Sequence, residues 1–126
     1  MREISPVDVA PPAANYAHAV LVETPSRWLH TSGVVPVAAD GSTPIPLDEQ
    51  AALVWRNIAA ILRDADMEPH HVVSVTTYVV AGSDLAPVMA ARDIGLAGHR
   101  AASTLLTVPA LARPEWGMEI AIIAAR

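Results

Sequence analysis

The spacing of apolar and polar residues along the first third of the chain is typical of β-structure. Ala17–Glu23 and Trp28–Val35 are predicted as strands, because each is rich in apolar residues and bounded by turn-forming residues. Thr24–Arg27, between them, has the length of a hairpin turn. A first short strand fits at Arg2–Ser5. A loop rich in Gly and Pro at 40–46 ends this β region.

From Leu47 the spacing of the apolar residues becomes helical. Residues that share one helix face are Val54, Ile58, Ile61, Leu62 and Ala65. Acidic residues in the first turn favour a helix start here, because they interact well with the helix dipole. The first helix is predicted to end near Asp66. A second helix is predicted over about Leu85–Ile94, with Ser83 as its N-cap.

Three later segments are predicted as strands, namely His71–Val80, Ala102–Val108 and Gly117–Ala124. The resulting order, (β)ββαβαββ, predicts one α+β domain over residues 1–126, a sandwich of a mixed sheet with two helices on one face. The other face of the sheet is rich in Val, Thr and Ile and has no cover in this chain. Self-association through that face is therefore predicted.

Composition narrows the class of protein. The chain has 126 residues, of which 52% are apolar, so one domain with a real core is expected. It has no run of about 18 apolar residues and no apolar leader, which predicts a cytoplasmic protein that does not enter a membrane. Cysteine is absent, so disulfides and thiolate chemistry are excluded. The net charge is −5 and the basic residues are scattered arginines, so no nucleic-acid partner is expected.

Four segments, taken in order, resemble the Rid (reactive intermediate deaminase, YjgF-type) family. Tyr16–Val20 (YAHAV) is similar to the family's YSQAV, and Thr31–Pro36 (TSGVVP) is similar to its TSGQIP. Asn57–Ile58 lies in a segment that resembles the central helix. Ala102–Thr104 (AST) and Met118–Ile120 (MEI) resemble the last two strands. Each motif alone is weak, but four in the family's order are specific.

The resemblance covers roughly residues 10 to 125 and implies a chorismate-mutase-like fold. It also implies a homotrimer with active-site clefts between subunits. Catalytic members of the family hydrolyse enamines and imines of small molecules to a keto acid and ammonia, and they need no cofactor. No metal-ligand spacing is present in the sequence, so neither a cofactor nor a metal is expected.

Glu119 is the predicted catalytic residue, because it matches the family glutamate that orients the attacking water. Its own surroundings favour this role, since a lone acid between apolar neighbours on a strand is partly desolvated and suited to general base work. A purely structural carboxylate is the alternative. Ser32 and Gly33 match the segment whose backbone approaches the ligand. Tyr16 matches the tyrosine that reaches the neighbouring subunit's cleft, and ordinary packing is its alternative.

The arginine that binds the substrate carboxylate in the family is missing. Its position, directly before the Ser-Thr pair, is Ala102 here, and Thr104 completes the segment predicted to contact substrate. A guanidinium suits that role because it offers two parallel donors to a carboxylate. Arg100 and Arg113 are the two residues with which the chain can compensate, and surface positions are the alternative for both.

Two functions therefore remain open. One is a divergent hydrolase of an enamine or imine that is not an efficient general 2-imino-acid deaminase. The other is a trimer that binds a small molecule and has lost its active site.

The histidines have two further interpretations. His70 and His71 are adjacent, so on a strand they point to opposite faces and cannot chelate one ion together. His18 and His30 fall on neighbouring predicted strands, so a shared pocket for these two rings is an open alternative.

Overall fold

The structure, a computed structural model, describes all residues from 1 to 126. It has six strands, two α-helices and one 3₁₀ turn. In chain order these elements are β1 (Arg2–Ile4), β2 (Ala19–Leu21), β3 (Trp28–His30), α1 (Leu47–Asp64), the 3₁₀ turn (Pro69–His71), β4 (Val72–Val80), α2 (Ala86–Gly95), β5 (Ala102–Val108) and β6 (Met118–Ala125).

Four of the strands form one mixed sheet in the order β3-β6-β4-β5. β4 and β5 run parallel and are joined through α2, whereas β6 is antiparallel to both β3 and β4. The α+β class with a mixed sheet and two helices is therefore confirmed. The hairpin predicted at Thr24–Arg27 is wrong, because β2 pairs with β1 in a separate ribbon and β3 pairs with β6.

Helix α1 packs its apolar face against the sheet, as its spacing predicts. Val54, Ile58 and Leu62 are buried and belong to one core cluster with the inward side chains of β6. Ile61 and Ala65 are partly buried against the same cluster. The helix ends shortly before Asp66, whose backbone has a φ of 58° and cannot continue a right-handed helix.

Helix α2 begins without the predicted cap. Leu85 occupies the N-cap position and makes no side-chain cap bond, while Asp84 Oδ1 accepts a hydrogen bond from the Ala86 amide at 3.1 Å. Asp84, and not Ser83, therefore satisfies a free amide at this helix start. Neither helix is long and apolar enough to cross a membrane.

The helices leave one face of the four-stranded sheet open. Along β6, Met118, Ile120 and Ile122 are buried, and the alternate residues point to the open face. Two large apolar side chains on this face are well exposed, Trp28 at 52% and Leu106 at 43%. Exposed apolar surface of this kind is typical of a face that another chain covers.

Candidate functional site

An irregularity in the sheet presents Ser32–Gly33 beside β6. The Thr31 amide donates to the Ile122 carbonyl at 3.1 Å, and the Val34 amide donates to the Ile120 carbonyl at 2.6 Å. Between these two bonds the outer segment has one more residue than β6, which is the definition of a β-bulge. The bulge turns the backbone of Ser32 and Gly33 toward the open face.

The carboxylate of Glu119 lies directly against this bulge. A Cβ atom added at Gly33 would overlap the nearer carboxylate oxygen and would lie 2.5 Å from Glu119 Cδ and 2.9 Å from Cγ. Only glycine therefore allows the carboxylate to occupy this place. None of the ion pairs within the chain includes Glu119, which is half-buried. The predicted catalytic residue is thus adjacent to the predicted ligand-contacting backbone, with its charge uncompensated within the chain.

A cavity of about 630 Å³ opens between the loop after β3 and helix α1, and Ser32 and Gly33 line it. Its shape depends on Asn57, whose Nδ2 donates to the Val37 carbonyl at 3.0 Å and to the Val35 carbonyl at 3.4 Å. Sequence reasoning assigned no role to Asn57. The one available signal was its presence in a matched segment, because the loop that it holds lies about twenty positions earlier.

A second cluster contains Tyr16, Arg100 and Ala102. Arg100 Nη2 donates to the Tyr16 carbonyl at 2.8 Å and forms an ion pair with Glu3 at 3.1 Å. Ala17 and Ala102 form an isolated parallel bridge, which fixes the segment after Tyr16 alongside the start of β5. In the structure Arg100 is therefore paired within the chain, with Glu3 and with the Tyr16 carbonyl.

The two clusters lie apart within one chain. Ala102 of β5 pairs with Ser74 of β4, and Ser74 pairs in turn with Ile123 of β6. Ile123 is four residues beyond Glu119 on the same strand. Four residues correspond to about 13 Å along a strand. Thr104 stands on the open face between the clusters and is exposed. One chain thus supplies two separated groups of the predicted site residues.

Arg113, the other arginine that could bind a substrate carboxylate, lies near an aromatic ring in the loop before β6. Its Cζ atom lies 5.9 Å from the centroid of the Trp116 ring, within the range of a cation–π contact. Trp116 is partly buried in that loop, and Gln50 holds the loop by accepting from the Gly117 amide at 2.8 Å. Arg113 makes no ion pair within the chain.

The histidine predictions need correction. His70 and His71 lie in the 3₁₀ turn and not on a strand, so their rings stand side by side with centroids 4.0 Å apart. No group of three or more side chains that could hold a metal ion is present. His18 contacts the Ala10 carbonyl, whereas His30 lines the cavity beside α1, so these two rings do not share a pocket.

His71 makes the stability of the fold pH-dependent. Burial holds the pKa of His71 below its ordinary value of 6.5, and the positive charges of His70 and Arg126 lower it further. Below pH 6.5 the unfolded chain therefore binds more protons than the folded chain. The stability that the neutral His71 ring contributes to the free energy of unfolding is present above pH 6.5 and is lost as pH falls through the lowered pKa of the folded state. We expect the free energy of unfolding, measured by urea titration, to fall between pH 7.5 and 5.5.

In His71→Gln the same titration should show a smaller fall. His30→Gln, a change on an exposed histidine of β3, is the control and should keep the wild-type dependence on pH. An equal fall in wild type and His71→Gln would assign the effect to another group.

The fold is an α+β sandwich in which a bulge brings the Gly33 backbone against Glu119 on the open face of the sheet. The chain belongs to the family described as Endoribonuclease L-PSP, whose sequence profile matches residues 7–126. The resemblance to Rid and YjgF proteins is thereby confirmed. This family includes imine deaminases. Comparison of the sequence with proteins of curated function found no match.

Solved structures extend the comparison to three dimensions. YyfB from Yersinia pestis, described as a protein of unknown function of the conserved Rid family, is 34% identical with a TM-score of 0.90, over 99% of this chain and 98% of that chain. The YjgF gene product from E. coli is 25% identical, TM-score 0.73, over 100% and 99%. E. coli TdcF, solved with bound serine, is 22% identical, TM-score 0.74, over 100% and 99%, and supports the fold alone.

Proposed function

We propose that the protein is a divergent Rid-type hydrolase that converts an enamine or imine of a small molecule to a carbonyl compound and ammonia. The observation that carries the proposal is the Glu119 carboxylate, which lies against the Gly33 backbone without an ion-pair partner in the chain. A carboxylate without an ion-pair partner, beside the Gly33 backbone on the open face of the sheet, can accept a proton from water.

The proposed reaction needs only water as co-reactant. An enamine first gains a proton at its β-carbon and loses one from nitrogen, which gives the imine. Glu119 accepts a proton from water as the oxygen attacks the C=N carbon, and returns that proton to the nitrogen to give a carbinolamine. Collapse of the carbinolamine forms the C=O bond and breaks the C–N bond, releasing ammonia. Backbone amides at the bulge of Ser32 and Gly33 would orient the substrate, because this backbone reaches the open face.

The proposed site lies between subunits of a homotrimer. Two features support this arrangement. The open face carries exposed Trp28 and Leu106, which another copy would cover. The Glu119 cluster and the Tyr16 cluster are separated within one chain, and a neighbouring copy would bring one against the other.

Ala102 sets the substrate class. Without an arginine at this position, the cleft has no bidentate partner for an α-carboxylate, so the preferred substrate is an imine or enamine without that group. Loss of such an anchor costs about 2–4 kcal/mol, or roughly 30- to 1000-fold in rate. General 2-imino-acid deamination is therefore expected to be inefficient.

A trimer that binds a small molecule without chemistry is the second candidate. The specific observation that favours it is the pairing of Arg100 with Glu3 and the Tyr16 carbonyl, because a substrate carboxylate would have to displace Glu3 from this arginine. In that case Glu119 has only a packing role against Gly33.

The ribonuclease activity in the family's description is not carried over, because the net charge of −5 and the scattered arginines disfavour an RNA partner.

The decisive experiment measures loss of imines that are generated in place, with semicarbazide trapping whatever remains. Imines with and without an α-carboxylate are compared for wild type, Glu119→Gln and Ala102→Arg. Wild type should hydrolyse imines without a carboxylate. Glu119→Gln should reduce the rate by roughly 100- to 10,000-fold, the usual contribution of a general base. Ala102→Arg should raise hydrolysis of 2-imino acids by about 30- to 1000-fold.

Glu49→Gln, an exposed change in the first turn of α1, is the matched control and should behave as wild type. If wild type equals the no-protein control on every imine and Ala102→Arg adds nothing, hydrolysis is rejected and the binding function is retained.

A further inference from the structure

A large cavity lies at the end of the sheet where β4 and β5 begin and β6 ends. Its volume is about 810 Å³, and β1, β2, the 3₁₀ turn and the loop before β5 also line it. This volume is in the range of small-molecule sites. Ala125 borders it, six residues along β6 from Glu119, which corresponds to about 20 Å. We call it the end cavity. The basic and imidazole side chains that line it are His70, His71, His99, Arg100 and Arg126.

Two carboxylates, Glu3 and Glu23, face these groups in the end cavity. Of the two arginines, Arg126 is engaged elsewhere, because its Nη1 lies 2.6 Å from the Asp66 carbonyl and 3.8 Å from the Asp66 carboxylate. Of the two arginines, only Arg100 is therefore paired with a carboxylate, Glu3, that also lines the end cavity.

The pair of Arg100 and Glu3 is replaceable. Its atoms are 3.1 Å apart, but the two side chains are 40% and 37% exposed, so water screens the attraction. A second bond from Arg100 Nη2 to the Tyr16 carbonyl holds the guanidinium in place without Glu3. An external carboxylate or phosphate can thus take the place of Glu3 on an arginine that is already positioned.

A neighbouring histidine is fixed as a donor. His71 Nδ1 accepts a hydrogen bond from the Glu68 amide at 2.9 Å, and since an amide can only donate, the ring proton is on Nε2. His99 also carries a proton on Nε2, but this N–H already donates to the Val72 carbonyl at 2.7 Å. The end cavity therefore offers a neutral Nε2–H donor from His71 together with the Arg100 guanidinium.

We propose that the end cavity binds a small oxyanion, a carboxylate or phosphate group, through Arg100 and His71, with Glu3 as the intramolecular competitor. The ligand exchanges one carboxylate–guanidinium pair for another and adds a hydrogen bond from His71. The end cavity shares Arg100 with the Tyr16 cluster, but its anion binding requires no hydrolysis and is measured without any reaction.

The test is titration calorimetry of the full chain with inorganic phosphate and with succinate, at constant ionic strength. Wild type should bind at least one of the two anions saturably, and comparison of the two identifies which oxyanion the site prefers. Glu3→Gln should tighten binding up to about fivefold, because it removes the competitor. Arg100→Gln should weaken binding by about 10- to 100-fold, as expected for loss of a charged donor.

Arg63→Gln is the matched control, because Arg63 is exposed in the last turn of α1 and does not line the end cavity. It should bind as wild type does. The proposal is overturned if neither anion binds saturably, or if Arg100→Gln and Arg63→Gln behave alike. Because Arg100→Gln also removes the hydrogen bond to the Tyr16 carbonyl, Glu3→Gln provides an independent test of the site. Unchanged affinity in that variant refutes the competition by Glu3.

Discussion

Gly33→Ala is expected to abolish imine hydrolysis as completely as Glu119→Gln does, and to lower the free energy of unfolding by about 1–3 kcal/mol. The added methyl group would overlap the Glu119 carboxylate. The backbone at the bulge cannot move away easily, since amides on both sides of it are bonded to β6. The carboxylate must therefore turn out of its place, and the proposed base is lost together with good packing.

A double-mutant cycle separates this explanation from a general intolerance of the bulge. In a Glu119→Ala background the clash is absent, so Gly33→Ala should cost only a few tenths of a kcal/mol, as is usual for uncoupled changes. Gly117→Ala is a matched control, because the nearest atoms to its Cβ, 3.1 Å and 3.2 Å away, belong to the flexible ends of Leu47 and Gln50. Equal costs for Gly33→Ala with and without Glu119 would contradict the proposed contact. Stability is measured by urea unfolding and activity by the imine assay.

The contact between Gly33 and Glu119 also illustrates what the sequence could not predict. The period of two along β6 places Glu119 opposite to the buried Met118 and Ile120, but it does not say which distant segment lies against it. The resemblance supplied both residues as site candidates. Their contact arises from a bulge that depends on hydrogen bonds between segments almost ninety residues apart.

Local patterns predicted the two helices and strands β4, β5 and β6 to within one or two residues, because amphipathic spacing is a property of adjacent positions. The predicted strands Ala17–Glu23 and Trp28–Val35 are both too long, since β2 and β3 have three residues each. The same reasoning failed where partners are remote. A turn-sized segment at Thr24–Arg27 cannot show whether its flanking strands pair with each other. In the structure Arg27 exchanges backbone hydrogen bonds with Arg126 at the far end of the chain, which directs β3 onto β6.

Two smaller errors have the same cause, an alternating pattern extended beyond the strand that it describes. The β-branched run begins at Val72, and Pro69 opens a 3₁₀ turn, so His70 and His71 are not governed by alternation. The predicted strand Trp28–Val35 likewise continues past β3, which ends at His30, into the bulge at Ser32 and Gly33.

Gly95→Ala is expected to lower the free energy of unfolding by about 2–3 kcal/mol, although the change is normally favourable in a helix. In an unhindered helix, alanine in place of glycine stabilises by about 1 kcal/mol. Here a Cβ atom at the end of α2 would overlap the Trp55 indole ring and would lie 2.5 Å from Cε3 and 2.8 Å from Cγ. Trp55 is only 5% exposed and belongs to the core cluster, so a rigid ring has nowhere to move.

The sign of the change is the test of this prediction, measured by urea unfolding at neutral pH. In a Trp55→Leu background the ring is gone, so Gly95→Ala should become neutral or stabilising. Ala90→Gly, on an exposed position of the same helix, is the control and should cost about 1 kcal/mol through helix propensity alone. Stabilisation by Gly95→Ala in the wild-type background would show that α1 and α2 separate easily. Destabilisation that Trp55→Leu relieves would identify the close approach of the two helices as the reason for glycine at this position.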